Sequence, residues 1–246
     1  MEPHKIAICE IFGATVQGEG ALIGKPTVFV RTGGCDYRCS YCDTLYAVLP
    51  EYKSMWHPMS AEEIFAEVQR LSADKAILVT LSGGNPALQP FEDLLDLGHK
   101  HGYTFALETQ GSVARRWFAK LDYLTLSPKG PGMGNPQPTN WERLERCISY
   151  AREGSHLGQP QICLKIVVFG EEDLAYAKYV AACYPDLPLY LQVGNHTPPH
   201  LAQEIDLAGL LKRLDWLIQR VIQDQWYNVT VLPQMHAILW GNKRGV

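Results

Sequence analysis

Six short segments of this chain are apolar almost without interruption: Pro26–Arg31, Ala76–Leu81, Tyr103–Leu107, Tyr123–Leu126, Ile162–Phe169 and Leu187–Val193. A strand with one wet face alternates apolar and polar residues, whereas a continuously apolar strand is covered on both faces. Between these segments lie helical patterns. Ser60-Ala-Glu-Glu63 has the spacing of a capping box, and Ile64, Phe65, Val68 and Leu71 follow on one helical face. A helix carrying Phe91, Leu94 and Leu95, helices over Trp141–Tyr150 and Glu171–Cys183, and an amphipathic stretch from Glu204 to about Gln223 complete the pattern. Strand–helix alternation with short connections predicts an α/β fold, a parallel sheet with helices on the outside. With 246 residues and no linker, repeat or low-complexity tract, the chain is expected to form a single domain over 1–246.

In such sheets, polar and glycine-rich strand exits gather at one edge, where ligands bind. Five segments qualify: 32–44, Ser82-Gly-Gly-Asn-Pro86, Glu108-Thr-Gln-Gly111, Ser127-Pro-Lys129 and Gln192-Val-Gly-Asn195. The Pro/Gly-rich stretch from Pro128 to Pro138 is expected to loop over that site.

The first exit contains Cys35-Asp-Tyr-Arg-Cys39-Ser-Tyr-Cys42, three of the seven cysteines within eight residues. The other four, Cys9, Cys147, Cys163 and Cys183, are dispersed and expected to be buried free thiols. An odd cysteine count without an export signal does not suit a disulfide framework, and points to the cytoplasm. Structural zinc usually takes four protein ligands as two short pairs, and no fourth Cys or His lies near this loop. A [4Fe–4S] cubane held by three cysteines keeps one iron open for a non-protein ligand, which suits catalysis. The 22 Lys and Arg against 26 Asp and Glu give a net charge of −4, a poor match for nucleic acid, and no segment is apolar enough to span a membrane.

C-x₃-C-x₂-C after the first of these strands resembles the radical S-adenosylmethionine (SAM) enzymes, and Ser82-Gly-Gly-Asn-Pro86 is similar to their glycine-rich motif, with Asn85 where that motif has an acidic residue. Ile11–Gly20, Cys42-Asp-Thr44, Leu107–Gly111, Ser127-Pro-Lys129, Tyr190–Asn195, Leu232–His236 and Leu239–Val246 resemble, in order, the 7-carboxy-7-deazaguanine synthase family. The resemblance implies a partial (β/α)6 barrel, with short N- and C-terminal extensions that bind substrate. It implies a reaction that contracts the ring of 6-carboxy-5,6,7,8-tetrahydropterin to 7-carboxy-7-deazaguanine with loss of ammonia, in 7-deazaguanine and queuosine synthesis. The implied cofactors are a [4Fe–4S] cluster, SAM and Mg²⁺, and the implied partners are an external reductant such as flavodoxin or ferredoxin and a second copy in a homodimer.

By the same resemblance, Cys35, Cys39 and Cys42 hold the cluster and the Thr44 hydroxyl ligates Mg²⁺. SAM is expected to meet Tyr41, Cys42 and Asp43 of the loop, the Gly84 backbone, Glu108, and Ser127, Pro128 and Lys129. Gln192, Val193, Gly194 and Asn195 are expected to hold its adenosyl part. Substrate is expected to meet Val16, Gln17, Gly18 and Glu19, with Ser82 and His236 approaching and Arg31 clamping its carboxylate. The bland alternative to the Arg31 clamp is a strand-end salt bridge, and Glu108 is either a ligand-facing acid or a structural cap. Two alternatives remain at this stage. One is an activating enzyme for glycyl-radical proteins, which shares the cysteine spacing; the other is a zinc-stabilised binding module with no reaction.

Overall fold

The computed structural model describes residues 4–134, 139–154 and 158–246. Among these residues nine strands form one sheet: β1 (Ile6–Val16), β2 (Pro26–Thr32), β3 (His57–Met59), β4 (Leu78–Gly83), β5 (Thr104–Thr109), β6 (Tyr123–Leu126), β7 (Gln161–Val168), β8 (Leu189–Val193) and β9 (Val229–Leu232). Their spatial order is β3-β1-β2-β4-β5-β6-β7-β8-β9. From β2 to β9 every pairing is parallel. The six expected strands are the six consecutive strands β2 and β4–β8 of that run.

The remaining strands extend the expected parallel sheet at its two edges. β1 and β3 run antiparallel on the β2 edge, with Val16 opposite Pro26 and Ile6 opposite Met59. Ile6–Val16 is not among the expected strands, because Glu10 and Gly13 interrupt its apolar pattern. β9 extends the opposite edge, and the sheet stays open between β9 and β3 among the described pairings.

The helices are α1 (Leu45–Val48), α2 (Ala61–Leu71), α3 (Glu92–Lys100), α4 (Trp141–Arg152), α5 (Glu171–Cys183), α6 (Leu207–Gln223) and α7 (Met235–Trp240). The expected capping box starts α2: Ser60 Oγ accepts from the Glu63 amide at 3.3 Å while Glu63 Oε2 accepts from the Ser60 amide at 2.7 Å. Asn140 and Asp206 cap α4 and α6 in the simpler one-way manner. The Asp206 cap starts α6 at Leu207 and leaves Glu204 in the preceding loop.

The two faces of the sheet differ in kind. Val28, Val30, Val79, Leu81, Phe105, Leu107, Leu124, Leu126, Leu164 and Ile166 point outward into the main core with Ile64, Phe65, Val68, Leu94 and Leu95 of the helices. Each fully buried side chain of this size is worth about 1.5–3 kcal/mol against exposure. The alternate positions Thr27, Thr80, Ala106, Thr125 and Cys163 are also buried, but small and mostly polar. Thr27 Oγ1 lies 2.8 Å from Thr80 Oγ1, and Thr125 Oγ1 lies 3.4 Å from Cys163 Sγ, so these polar atoms satisfy one another. Small residues facing inward are what lets a curved sheet enclose space on that side. Cys9, Cys147 and Cys163 are buried as expected; Cys183, the last residue of α5, is exposed.

Residues 17–25, between β1 and β2, close the base of that space. Leu22 packs on Leu78, Ala106 and Tyr123 at the beginnings of β4, β5 and β6. The Gln17 amide donates to Lys25 O at 2.9 Å and the Gly24 amide to Gln17 O at 2.7 Å, pinning the segment as a plug.

Candidate active site

The enclosed space is a cavity of about 490 Å³, a volume suited to small molecules. All five predicted strand exits contribute to its wall: Cys35–Thr44, Ser82–Gly84, Glu108–Gln110, Ser127 with Lys129, and Asn195. The plug supplies Val16, Gln17, Gly18 and Glu19 from the opposite end, and the C-terminal part supplies Gln234, His236 and residues 241–246.

The three-cysteine loop lies at the mouth. Its entry is held by β4: the Gly84 amide donates to Thr32 O at 3.1 Å and the Asn85 amide to Gly34 O at 2.8 Å. A Cβ on Gly84 would come within 2.0 Å of Gly34 O, so only glycine permits this approach. Asn85 is fully buried, donating to Asp36 Oδ1 (2.8 Å) and Ser112 Oγ (3.0 Å) and accepting from Thr109 Oγ1 (2.8 Å). Its side chain is thus spent on the loop framework.

Cys35, Cys39 and Cys42 all face the cavity and are partly exposed. Burial pushes the Cys35 thiol up and the Cys42 thiol up to about 11, Asp43 adding to the latter. Thiolates here therefore need a strongly cationic partner. Among the described residues, no three His, Cys, Asp or Glu side chains converge on a point where one ion could sit. Structural zinc takes four protein ligands, whereas a cubane, in which each thiolate takes a different iron, suits three cysteines on one loop. The Tyr37 amide donates to Cys35 Sγ at 3.4 Å and Gln110 Nε2 at 3.8 Å, contacts of the kind that set a cluster's potential.

Thr44 is buried at the N-cap of α1, yet its hydroxyl does not cap that helix. Oγ1 lies 3.7 Å from Cys42 Sγ instead, on the cavity wall. Among the described residues, Ser82 Oγ and Gln234 Oε1 are buried without a hydrogen-bond partner, and both residues line the cavity. Unpartnered buried polar atoms are costly in a folded protein, and two on one cavity wall point to a polar ligand.

At the floor, Lys165 of β7 pairs with both Glu19 and Glu108. Glu19 Oε1 also accepts from Gln234 Nε2 at 2.8 Å and lies 3.8 Å from His236 Nδ1. Burial works to raise the Glu19 carboxyl, but Lys165, His236 and Gln234 outweigh it and hold it well below the usual carboxylate range. Gly18 packs so closely on His236 that a Cβ would lie 2.6 Å from its Nδ1. Glu108 thus lines the cavity and pairs with Lys165.

Arg31 sits on another wall and makes the salt bridge that was its alternative reading, Nε to Glu10 Oε1 at 2.7 Å. Glu10 is shared with Arg244 Nε at 2.7 Å and the Tyr46 hydroxyl at 2.9 Å, and Arg244 stacks 3.8 Å from the Tyr46 ring centre. One carboxylate between two guanidiniums leaves this group one positive charge in excess.

Four expected SAM residues lie off the wall. Gln192 is fully buried, accepting from the Gly20 amide and donating to Leu232 O. Val193 packs with Leu210 and Ala237, Gly194 against Phe169, and Pro128 is outside the lining. Of the loop 128–138, residues 135–138 lie outside the described residues; Gly132 is anchored to Asp173 Oδ1 at 2.9 Å. Sequence reasoning missed Lys165, Glu10, Tyr46, Gln234 and Arg244. A lone lysine inside the apolar run Ile162–Phe169 was the one available signal.

The family model for the Radical SAM superfamily matches residues 29–181. The chain is 44% identical over 243 residues to the 7-carboxy-7-deazaguanine synthase of Bacillus subtilis (strain 168), covering 98% of each chain. It is 39% identical to that of Bacillus cereus, covering 98% of this chain and 99% of the relative. The fold is similar to that in the crystal structure of QueE from Escherichia coli, with a TM-score of 0.67 and 24% identity over 94% of this chain and 95% of the other.

Proposed function

Since the chain belongs to the radical SAM superfamily and, within it, to the 7-carboxy-7-deazaguanine synthases, we infer from that premise how its cavity is used. The chain is a lyase that makes 7-carboxy-7-deazaguanine from 6-carboxy-5,6,7,8-tetrahydropterin, releasing ammonia. The observation that carries this reading is one cavity with a three-cysteine loop at its mouth and a closed, ion-paired, hydrogen-bonding floor. A glycyl-radical activating enzyme must admit a polypeptide loop, and the plug at 17–25 closes the base of this cavity. A zinc module has no use for such a floor.

When bound, the cluster and SAM supply the abstraction of a hydrogen atom from the substrate. Cys35, Cys39 and Cys42 would hold the cluster, and the Gly84 backbone, Ser127, Lys129 and Asn195 line the part of the wall assigned to SAM. Gln17 and the backbone beside it offer paired donors and acceptors to the amide-like edge of a pterin. Ser82 Oγ is free to add one more hydrogen bond. Arg31 and the excess charge around Glu10 face the substrate carboxylate. The chain's main contribution is to hold the reactive carbon in place and exclude competing hydrogen donors. The same reading carries a flavodoxin or ferredoxin as reductant and a homodimer. No helix among the described residues is long and apolar enough to cross a membrane.

The decisive assay is anaerobic incubation of the reconstituted protein with SAM, a reductant, Mg²⁺ and the tetrahydropterin, following the deazaguanine chromophore. Cluster-loaded protein that forms none would overturn the reading.

Mg²⁺ prefers hard oxygen ligands and few protein ones, and the uncapped Thr44 hydroxyl suits it. Thr44→Ala is expected to lower turnover by at least the roughly tenfold typical of losing an outer metal partner, with a changed Mg²⁺ titration and unchanged iron content. Identical Mg²⁺ titrations at equal rates would remove Thr44 from the site.

A further inference from the structure

Lys165 stands in the middle of β7, in register with Tyr190 of β8, and is 2% exposed. Its strand neighbours Leu164 and Ile166 belong to the apolar core. Burying an ammonium is costly, and a buried ion pair is commonly no more stable than an apolar replacement of the same size. Stability therefore does not account for Lys165 lying between Glu19 and Glu108 on the cavity wall.

The reaction assigned above needs such a group. Substrate and product differ by one ammonia, with no net oxidation or reduction. A ring nitrogen leaves as ammonia only after it is protonated, and the contracted ring becomes aromatic only after a carbon-bound proton is removed. Of the other lysines lining the cavity, Lys129 lies at the mouth, bonded to Ser127 Oγ at 3.1 Å, and Lys243 is exposed. Lys165 alone among the described lysines of the lining is buried at the floor.

Resting on the deazaguanine synthase reading, we propose that Lys165 is the acid–base residue of ammonia release. After ring contraction the nitrogen to be lost hangs from the ring as an amine. Lys165 Nζ gives it a proton, and the carbon–nitrogen bond breaks with both electrons going to nitrogen. The neutral lysine then takes the proton from the neighbouring ring carbon, whose bonding pair becomes the aromatic double bond. Lys165 ends as it began. Glu19 and Glu108 fix its position.

The test compares wild type with Lys165→Arg and Lys165→Gln in the anaerobic reaction, with products separated and weighed by mass spectrometry. Arginine keeps the ion pairs but does not give up its proton, and glutamine keeps only hydrogen bonding. SAM binding and iron content are expected to match wild type. Deazaguanine formation is expected to fall at least about a hundredfold, the lower range for losing a general acid. Substrate should instead be converted to a species of the same mass but different retention, which loses ammonia on acid quenching. Arg or Gln variants that make deazaguanine within a few-fold of wild type would overturn the proposal. So would folded variants that bind SAM and substrate normally but consume no substrate and build no isomer, which is the behaviour of a positioning residue. The isomer appearing in His236→Gln and not in the Lys165 variants would move the role to His236. Wild type failing to form deazaguanine would instead sink the functional reading itself.

Discussion

Cys39→Ala is expected to yield a folded protein that has lost its iron–sulfur cluster and, with it, all SAM cleavage. Cys39 lies on a partly exposed loop that contributes nothing to the main core, so the fold has no reason to depend on its sulfur. A cubane with three protein ligands has none to spare, and the same loss follows for Cys35→Ala and Cys42→Ala. Cys147→Ala is the matched control. That thiol is completely buried in α4, donates weakly to Gly111 O and Val113 O at 3.6 Å each, and is pushed up to about 12 by burial. Its loss should lower the melting temperature and leave the iron in place. Iron, zinc and acid-labile sulfide measured on the four proteins decide the matter. Iron retained by Cys39→Ala and lost from Cys147→Ala would reverse the ligand assignment.

The contrast between those two cysteines shows what was legible in the sequence. Cys35, Cys39 and Cys42 share one short loop, so their spacing alone places them together. Likewise Tyr123–Leu126 and Ile162–Phe169 announce buried strands through local composition, and the structure differs at most by a residue or two at their ends. Glycine in Ser82-Gly-Gly carried its meaning locally too, since a strand must pass directly against the cysteine loop there.

What stayed hidden depends on long-range encounters. Glu10 and Arg244 are 234 positions apart, and neither has an unusual neighbourhood in the chain. Their meeting requires β1 to turn back along β2, and β1 itself was obscured by the polar and glycine residues it carries. The Glu19–Lys165–Glu108 group needs residues 17–25 to plug the base of the sheet, which no periodicity encodes. Gln192 shows the converse. A polar residue at a strand exit suggests a ligand, but its amide is consumed in joining β8 to β9 and to the plug.

Arg31→Lys is expected to weaken substrate binding roughly thirtyfold to more than a hundredfold while leaving SAM binding nearly unchanged. The Nε of Arg31 is already committed to Glu10, but a guanidinium has two further nitrogens with which to grip a carboxylate. Lysine keeps the charge and loses the planar fork, which in a shielded site should cost on the order of 2–3 kcal/mol. Arg244 competes for the same Glu10 carboxylate, so that anion cannot neutralise both cations, and an incoming carboxylate finds an unpaired positive charge. A tetrahydropterin lacking its carboxylate should therefore bind wild type poorly and the variant about equally poorly. Four dissociation constants, two proteins against two ligands, close the cycle. A coupling near the full 2–3 kcal/mol places the ligand carboxylate on Arg31. Additive losses mean that the two do not touch. In that case Arg31 serves only to join β1 to β2 through Glu10, and recognition of the substrate's charge passes to Arg244.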